Sequence, residues 1–203
     1  MFHKTINNLD LITKEIQSKI SKLNYLNYNP KIIAICKTFP ISDVLPLINH
    51  GHIHFGENKV QEAIEKWSDI KNNFENIKLH MVGKLQTNKV KHVIPLFDYI
   101  HSLDNLKLAE KIANESQKSG IQKDKIGSFY KICHNDLGLN IIGLMCLPPK
   151  NITDEKYFSE MFNLSRKIKL SDLSMGMSDD YIAAIKYRST FLRIGSKIFG
   201  SRV

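Results

Sequence analysis

The sequence lacks the segments that tie a protein to a membrane or to the secretory pathway. No apolar run approaches the roughly 20 residues that a membrane-spanning helix needs. Residues 1–16 contain no continuous apolar stretch of the kind that a secretory signal requires. Cysteine is scarce, with three residues and no C-x-x-C spacing, which favours a reducing compartment over a disulfide framework. We therefore predict a cytoplasmic protein without membrane association.

Patterns typical of nucleotide and nucleic-acid binding are also absent. The chain has neither a G-x-G-x-x-G pattern nor a P-loop. Its formal net charge is +9, but the lysines are scattered and no aromatic residues alternate with a basic stripe. A small phosphorylated ligand fits the positive balance equally well. We predict no nucleic-acid partner and keep nucleic-acid binding only as an alternative class of function.

What the sequence does contain is a regular alternation of strand and helix patterns. Apolar residues spaced three and four apart over 6–23 predict a leading helix within residues 1–30. Strands are predicted over 31–37, 52–56, 78–82, 97–101, 140–146, 173–176 and 191–195. Helices are predicted over 42–48, from 58, and over 86–93, 105–115, 123–136, 154–168 and 179–185. Such alternation predicts parallel strands joined by right-handed crossovers.

One interruption breaks the alternation. The segment SQKSGIQ, residues 116–122, is polar and contains glycine, and no strand separates the helices on either side of it. We predict a single α/β domain over 1–203, a TIM-type (β/α)8 barrel whose fifth strand is deleted or irregular, with no second β domain. An open doubly wound sheet is the alternative, but no nucleotide-binding pattern supports it.

Three helix starts are predicted from polar residues that precede apolar periodic segments. Ser42 and Ser178 are the predicted N-caps of the helices that follow them. Asn58, with Gln61 three residues later, is predicted to form a cap with its capping-box partner.

The first predicted strand raises a chemical question, because its apolar run ends in a lysine. Lys37 shares its parity with Ile33 and Ile35, so all three side chains are predicted to point into the barrel. Partial loss of hydration there favours the neutral amine of a lysine, which imine formation with an aldehyde requires. The alternative is a strand-end lysine that extends to water.

Small residues follow the last two predicted strands, in the segments SMGMS and RIGS. Ligands of barrels bind at the C-terminal ends of the strands, and the last two loops commonly hold a phosphate group. Ser178 and Ser196 each precede a helix start, and Gly195 permits the close approach of an anion. The alternative is two turns that only reverse the chain.

Arg193 lies inside the last predicted strand, so a buried charge is expected there. A buried arginine needs an acceptor, which is either a protein carboxylate or a ring nitrogen of a ligand.

Two further groups of residues were considered as chemical sites. His50, His52 and His54 alternate along the chain, but no cysteine or carboxylate completes an evident set, so we predict no metal site. Cys36 is predicted to point away from Lys37 and to contribute to packing.

At this point the residues match a known family. The chain resembles the YggS/PROSC-type pyridoxal phosphate homeostasis proteins, which are related in fold to the N-terminal barrel of alanine racemase. The matching segments are AICKTFP, HFGENKVQE, LHMVGKLQTNK, FDYIHSLD, KSG, GLMCLPP, LSMGMSDDYIAAI and RIGSKIFGSR. They extend from about residue 31 to residue 202 and are specific when taken together.

The resemblance implies the cofactor and its contacts. Lys37 is implied to form a Schiff base with pyridoxal 5′-phosphate (PLP). Ser178, Gly195 and Ser196 are implied to hold the phosphate group, and Arg193 is implied to face the pyridine nitrogen. Asn58, His80 and Met175 are implied as further pocket residues by their positions in the motifs. No catalytic residue is predicted.

The implied function is PLP homeostasis, exercised by a monomer that has PLP-dependent apo-enzymes as partners. An arginine at the ring nitrogen weakens the electron sink that PLP enzymes use, and a racemase needs a second acid or base on the opposite cofactor face. We therefore favour a binding protein over an enzyme. The alternatives are a weak racemase or transaminase, and a partly degenerate family member that has lost its function with the fifth strand.

Overall fold

The computed structural model describes residues 3–114, 126–149 and 155–201 of the chain. Its strands are β1 (Lys31–Ile35), β2 (His54–Glu57), β3 (Lys78–Met81), β4 (Tyr99–Ile100), β5 (Gly143–Met145), β6 (Asp172–Met177) and β7 (Phe191–Ile194). Its helices are α1 (Lys4–Lys22), α2 (Ile41–Asn49), α3 (Val60–Asn73), α4 (Val90–Val93), α5 (Leu106–Asn114), α6 (Ile126–Lys131), α7 (Glu155–Lys167), α8 (Tyr181–Lys186) and α9 (Ser196–Phe199). A 3₁₀ turn, Thr87–Lys89, precedes α4, and a π-helical turn, Ile132–Asp136, continues α6.

The chain divides into two compact units, residues 1–56 with 143–203 and residues 57–142. In the first unit, β2, β1, β7, β6 and β5 lie side by side in this order and pair in parallel. In the second, β3 pairs in parallel with β4, and the N–H of Val82 donates to the carbonyl of Glu57. The complete order is β4-β3-β2-β1-β7-β6-β5. The predicted α/β fold with seven strands is thereby confirmed.

The apolar stripe predicted for the leading helix, α1, is confirmed. Leu9, Ile12, Ile16 and Ile20 are all buried along one face, at the spacing of an amphipathic helix. The helix packs against α8 and α9, and the side-chain amide of Asn8 donates to the carbonyl of Ile198 at 2.8 Å. It therefore supports α9, the short helix that follows β7.

Most strands are shorter than their apolar patterns predicted. β1 ends at Ile35 rather than at residue 37, because after Cys36, whose N–H still donates to the carbonyl of Gly56, the chain turns. β4 contains only two residues of the predicted 97–101. Apolar residues thus continue past the strand ends into the turns, where hydrophobicity alone does not mark a boundary.

The predicted helix caps are wrong in all three places. The cap positions are Pro40, Lys59 and Asp180, and none of them makes a side-chain capping hydrogen bond. Gln61 instead donates from Nε2 to Glu65 Oε1 at 3.0 Å, one turn along α3. The physical reasons differ: Ser42 lies inside α2, the hydroxyl of Ser178 has a partner elsewhere, and Asn58 lies one residue before the cap position of α3.

The predicted gap at 116–122 lies outside the described residues. Between β4 and β5, no residue of 101–114 or 126–142 belongs to a strand. β4 and β5 are the two end strands of the order given above. Among the helices that the structure describes, none has the length and apolar composition needed to cross a lipid bilayer.

Candidate functional site

Lys37 lies in the turn after β1, two residues beyond the last strand residue, Ile35. Ile33, Ala34 and Cys36 are completely buried, whereas Lys37 is half-buried. The next residue, Thr38, has a positive φ of 70°, which is unusual for a β-branched residue. Its hydroxyl donates to the carbonyl of Lys37 at 2.5 Å. Backbone strain of this kind is concentrated at functional sites, so the turn after β1 is a candidate site on geometric grounds.

Cys36 packs as predicted from its parity. Its side chain is buried, and the thiol donates to the carbonyl of Gly56 at 3.6 Å. The thiol is therefore part of the contact between β1 and the neighbouring strand rather than a group presented with the lysine.

The side chain of Ser178 joins the loops that follow β6 and β7. Its buried hydroxyl oxygen accepts hydrogen bonds from the N–H groups of Gly195 at 3.3 Å and Lys197 at 3.4 Å. On the other side of the same loop, Asp180 accepts a hydrogen bond from the N–H of Met177. The two segments singled out as phosphate loops therefore lie against each other.

Gly195 brings the end of β7 close to the end of β1. It occupies the cap position of α9, and a Cβ atom placed on it would lie 3.2 Å from the carbonyl oxygen of Ile35. Ser196, the first residue of α9, is exposed. Because Ile35 is two residues before Lys37, the lysine and the phosphate-loop candidates share one strand-end edge of the first unit.

Arg193 is buried in β7, as predicted, but its partners differ from the expected ones. Its two terminal nitrogens donate to Ser174 Oγ at 2.7 Å and to the carbonyl of Cys146 at 2.9 Å. Both acceptors are neutral, so these hydrogen bonds involve no carboxylate. Burial lowers the pKa of Arg193 to about 10, against the opposing Coulomb effect of Asp180. The guanidinium therefore remains charged at neutral pH.

Met175 is completely buried in β6, one residue from Ser174. Its N–H donates to the hydroxyl of Ser189 at 3.3 Å. Its role as a pocket residue remains a prediction.

The other two predicted pocket residues, Asn58 and His80, belong to the second unit. His80 is completely buried, stacks on the Tyr99 ring at a centroid distance of 4.4 Å, and shares a 2.9 Å hydrogen bond between its Nδ1 and His101 Nε2. Within the described residues, Asn58 Oδ1 and Ser102 Oγ are buried without a hydrogen-bond partner. Unsatisfied buried oxygens are costly, so they indicate places for polar groups of a ligand.

The alternating histidines have structural contacts. His50 ends α2 and lies 3.4 Å from Asp10, while the ring Nε2 of His52 donates to the carbonyl of His54 at 2.9 Å. No group of three or more His, Cys, Asp or Glu side chains in the described ranges is arranged to hold a metal ion.

Three residues near these groups were missed by the sequence analysis: Ser174, Asp180 and Ser102. Ser174 precedes Gly176 by two positions and Ser178 by four, and its pairing with Phe191 brings it beside Arg193. This alternate spacing along β6 was the signal in the sequence that could have identified Ser174. Asp180 and Ser102 lie in turns, where the spacing of polar residues does not indicate their partners.

The fold of the chain is similar to that of alanine racemase. The racemase from Corynebacterium glutamicum has a TM-score of 0.63 and 12% identity, over 96% of this chain and 61% of that one. At this identity the likeness concerns the fold alone. No protein-family model matches the sequence.

Closer relatives then define the family. The pyridoxal phosphate homeostasis protein of Haemophilus influenzae is 35% identical over 96% of this chain and 94% of its own length. The structure of PipY from Synechococcus elongatus, solved with PLP bound, has a TM-score of 0.76 and 27% identity, and covers 91% of this chain and 100% of PipY. The chain therefore belongs to the family of pyridoxal phosphate homeostasis proteins, as the motifs predicted.

Proposed function

We propose that this protein binds PLP through a Schiff base on Lys37 and serves PLP homeostasis. Ser178, Gly195 and Ser196 hold the phosphate group, and Arg193 faces the pyridine nitrogen. Asn58, His80 and Met175 are further pocket residues. The observation that carries the proposal is the contact of Ser178 Oγ with the N–H of Gly195, because it joins the two loops assigned to the phosphate. Family membership and the PLP-bound relative support the choice of ligand.

The position of Lys37 suits covalent attachment of an aldehyde. Lys37 would supply the amine and bound PLP would supply the aldehyde with which it condenses, with loss of one water molecule. Lys37 is half-buried in the turn after β1, so its side chain is accessible to a ligand at this edge. The neighbouring backbone turn fixes the direction in which the lysine leaves the strand.

The loops after β6 and β7 suit the phosphate group. Gly195 has no side chain between its backbone and a ligand, and Ser178 supplies a hydroxyl at the same place. Backbone N–H groups and hydroxyls are the donors that phosphate oxygens accept from. The group that PLP itself supplies is a reactive aldehyde on an aromatic ring.

Arg193 favours a binding role over catalysis. A guanidinium that stays charged at neutral pH disfavours protonation of a pyridine nitrogen beside it, and an unprotonated ring is a weak electron sink. We accordingly propose a cytoplasmic PLP carrier, monomeric, that passes PLP to apo-enzymes that depend on it. A weak racemase or transaminase is the competing function, and turnover of amino acids by the PLP-loaded protein would support it instead.

The proposal is tested by visible absorption during titration with PLP. The wild-type protein is expected to develop the yellow band of an internal imine at one equivalent. Lys37→Ala is expected to lose the band and remain folded by circular dichroism. Lys31→Ala, at the exposed start of the same strand, is the matched control and is expected to keep it. A band of equal intensity in Lys37→Ala would overturn the assignment.

A further inference from the structure

We propose that a cleft in the unit of residues 57–142 binds a second, small anionic ligand of the phosphate-ester class. The cleft has a volume of about 360 Å³. Lys59, Lys84 and Lys89 line it, together with the amide residues Asn58, Gln61 and Gln86. Because Asn58 is also a proposed PLP pocket residue, the cleft shares one residue with the proposed PLP site, and the test below fills that site first.

The charge of the cleft lining is uncompensated. Within the described part of the chain, none of the three lysines forms an ion pair, and no carboxylate lines the cleft. The nearest acidic residues of α3 have partners on that helix, because Glu62 lies 3.3 Å from Lys66 and Glu65 accepts from Gln61. Lys59 and Lys84 are exposed and Lys89 is half-buried, and their positive charge without counter-charges attracts an anion.

The start of α3 adds to the positive potential. The cap residue of this helix, Lys59, makes no side-chain capping bond, and the first two helical residues, Val60 and Gln61, both line the cleft. The first N–H groups of a helix have no partner within the helix, and the helix dipole places positive potential at this end. In this cleft the N–H groups at the start of α3 add to the charge of three lysines, and they do not form the site alone.

A glycine contact builds the cleft. A Cβ atom on Gly83 would lie 2.1 Å from the carbonyl oxygen of Asn58, which is closer than any side chain permits. The segment that carries Lys84 and Lys89 can therefore pack directly onto the segment that carries Lys59 only because residue 83 is glycine.

The dimensions of the cleft favour a small molecule over a macromolecule. Small-molecule sites in proteins have volumes of about 300–1,000 Å³ and use a few well-placed polar groups. Lysine ammonium groups act as point charges for phosphate oxygens, and the two glutamine amides supply further hydrogen bonds. A phosphate ester with at least two negative charges matches this lining.

The test uses calorimetric titration of the full chain with inorganic pyrophosphate, after the Lys37 site has been filled with PLP and reduced with borohydride. Lys84→Gln/Lys89→Gln is expected to weaken pyrophosphate binding by at least about tenfold. The matched control, Lys91→Gln/Lys107→Gln, removes the same charge from exposed lysines of the same unit outside the cleft. It is expected to retain the wild-type affinity.

Two results would overturn the inference: equal affinities in the wild-type and cleft variants, or equal weakening in the cleft and control variants. Cleft-dependent binding of a poly-glutamate peptide without binding of pyrophosphate would likewise replace the small-molecule assignment by a protein partner. If PLP does not attach to Lys37, the same titrations are made on Lys37→Ala. A failure of PLP attachment to Lys37 is thereby distinguished from a failure of anion binding in the cleft.

Discussion

At the scale of single residues, the position of Arg193 decides between a structural role and a role at the PLP ring. Arg193→Gln keeps some hydrogen bonding to Ser174 and Cys146 but removes the charge. We expect the absorption band of bound PLP to shift and the affinity for PLP to fall, because the group beside the ring nitrogen becomes neutral. The free energy of unfolding is expected to fall by about 1–3 kcal/mol. Spectral titration and denaturant unfolding measure these effects.

The control for this variant is Arg166→Gln, at an exposed position of α7. It is expected to leave both spectrum and affinity unchanged. If Arg193→Gln also leaves both unchanged and alters only stability, Arg193 has a purely structural role.

A second residue, His52, is expected to make stability depend on pH. Burial lowers its pKa to about 4 in the folded protein, whereas the unfolded chain has the ordinary value near 6.5. The unfolded state therefore binds a proton first as the pH falls, and stability is lost progressively from about pH 6.5 down to about pH 4. This group alone accounts for a loss on the order of 2–3 kcal/mol.

Denaturant unfolding across this pH range checks the prediction. His52→Gln is expected to lose less stability on acidification than the wild type by that amount. His92→Gln, which changes an exposed histidine, is expected to follow the wild type. Parallel curves for wild type and His52→Gln would show that His52 does not carry the effect.

Sequence reasoning at this scale succeeded where strand parity and an apolar context restrict the side chain. Cys36 was placed in the packing, because the alternation of a strand allows few choices, whereas Lys37, predicted as the last residue of the strand, lies in the turn after β1. It failed for Ser42, Asn58 and Ser178 as helix caps. Whether a serine hydroxyl bonds to its own helix or to a distant N–H depends on what the fold brings near it.

At the scale of elements, the end of β6 depends on one glycine. Gly176 has a φ of +92°, and a Cβ atom there would lie 2.7 Å from Ala184 Cβ and 2.9 Å from Tyr181 Cα. Gly176→Ala is therefore expected to combine backbone strain with overpacking against α8 and to destabilise the protein by about 2–4 kcal/mol. Because Ser178 follows two residues later, PLP affinity is expected to fall as well.

Gly138→Ala separates the effect of backbone strain from that of overpacking. Gly138 also has a positive φ, of +62°, but nothing lies within 4 Å of its added Cβ. Only the backbone cost of about 1 kcal/mol is expected there. Thermal unfolding of both variants measures the difference, and an equal loss in the two would show that the contact with α8 can relax.

The elements themselves were predictable because buried parallel strands and amphipathic helices differ in period. The boundaries of these elements were less predictable. β4 contains two residues where an apolar segment of five was predicted, and the helix predicted over 86–93 is divided into a 3₁₀ turn and α4. Hydrogen bonding at element ends depends on neighbours that a local pattern does not describe.

At the scale of the whole molecule, the predicted absence of a fifth barrel strand has a measurable consequence. End strands without a neighbour carry unpaired backbone groups, which lower stability and promote aggregation. β4 and β5 hold the end positions in the described residues.

Insertion of an apolar, β-branched strand segment between residues 115 and 117 is therefore expected to raise the thermal unfolding temperature and to reduce aggregation. A polar, glycine-rich insertion of equal length is the control and is expected to give no increase. Light scattering during a thermal ramp measures both effects. A fully paired strand formed by 116–122 in an experimental structure would refute the gap.

The most direct measurement of the central claim locates the PLP adduct on the chain. The protein is saturated with PLP, reduced with borohydride and digested, and the modified peptide is sequenced by mass spectrometry. We predict a single phosphopyridoxyl group on Lys37, among all the lysines of the chain. A label spread over many lysines, or fixed on another single lysine, would contradict the account.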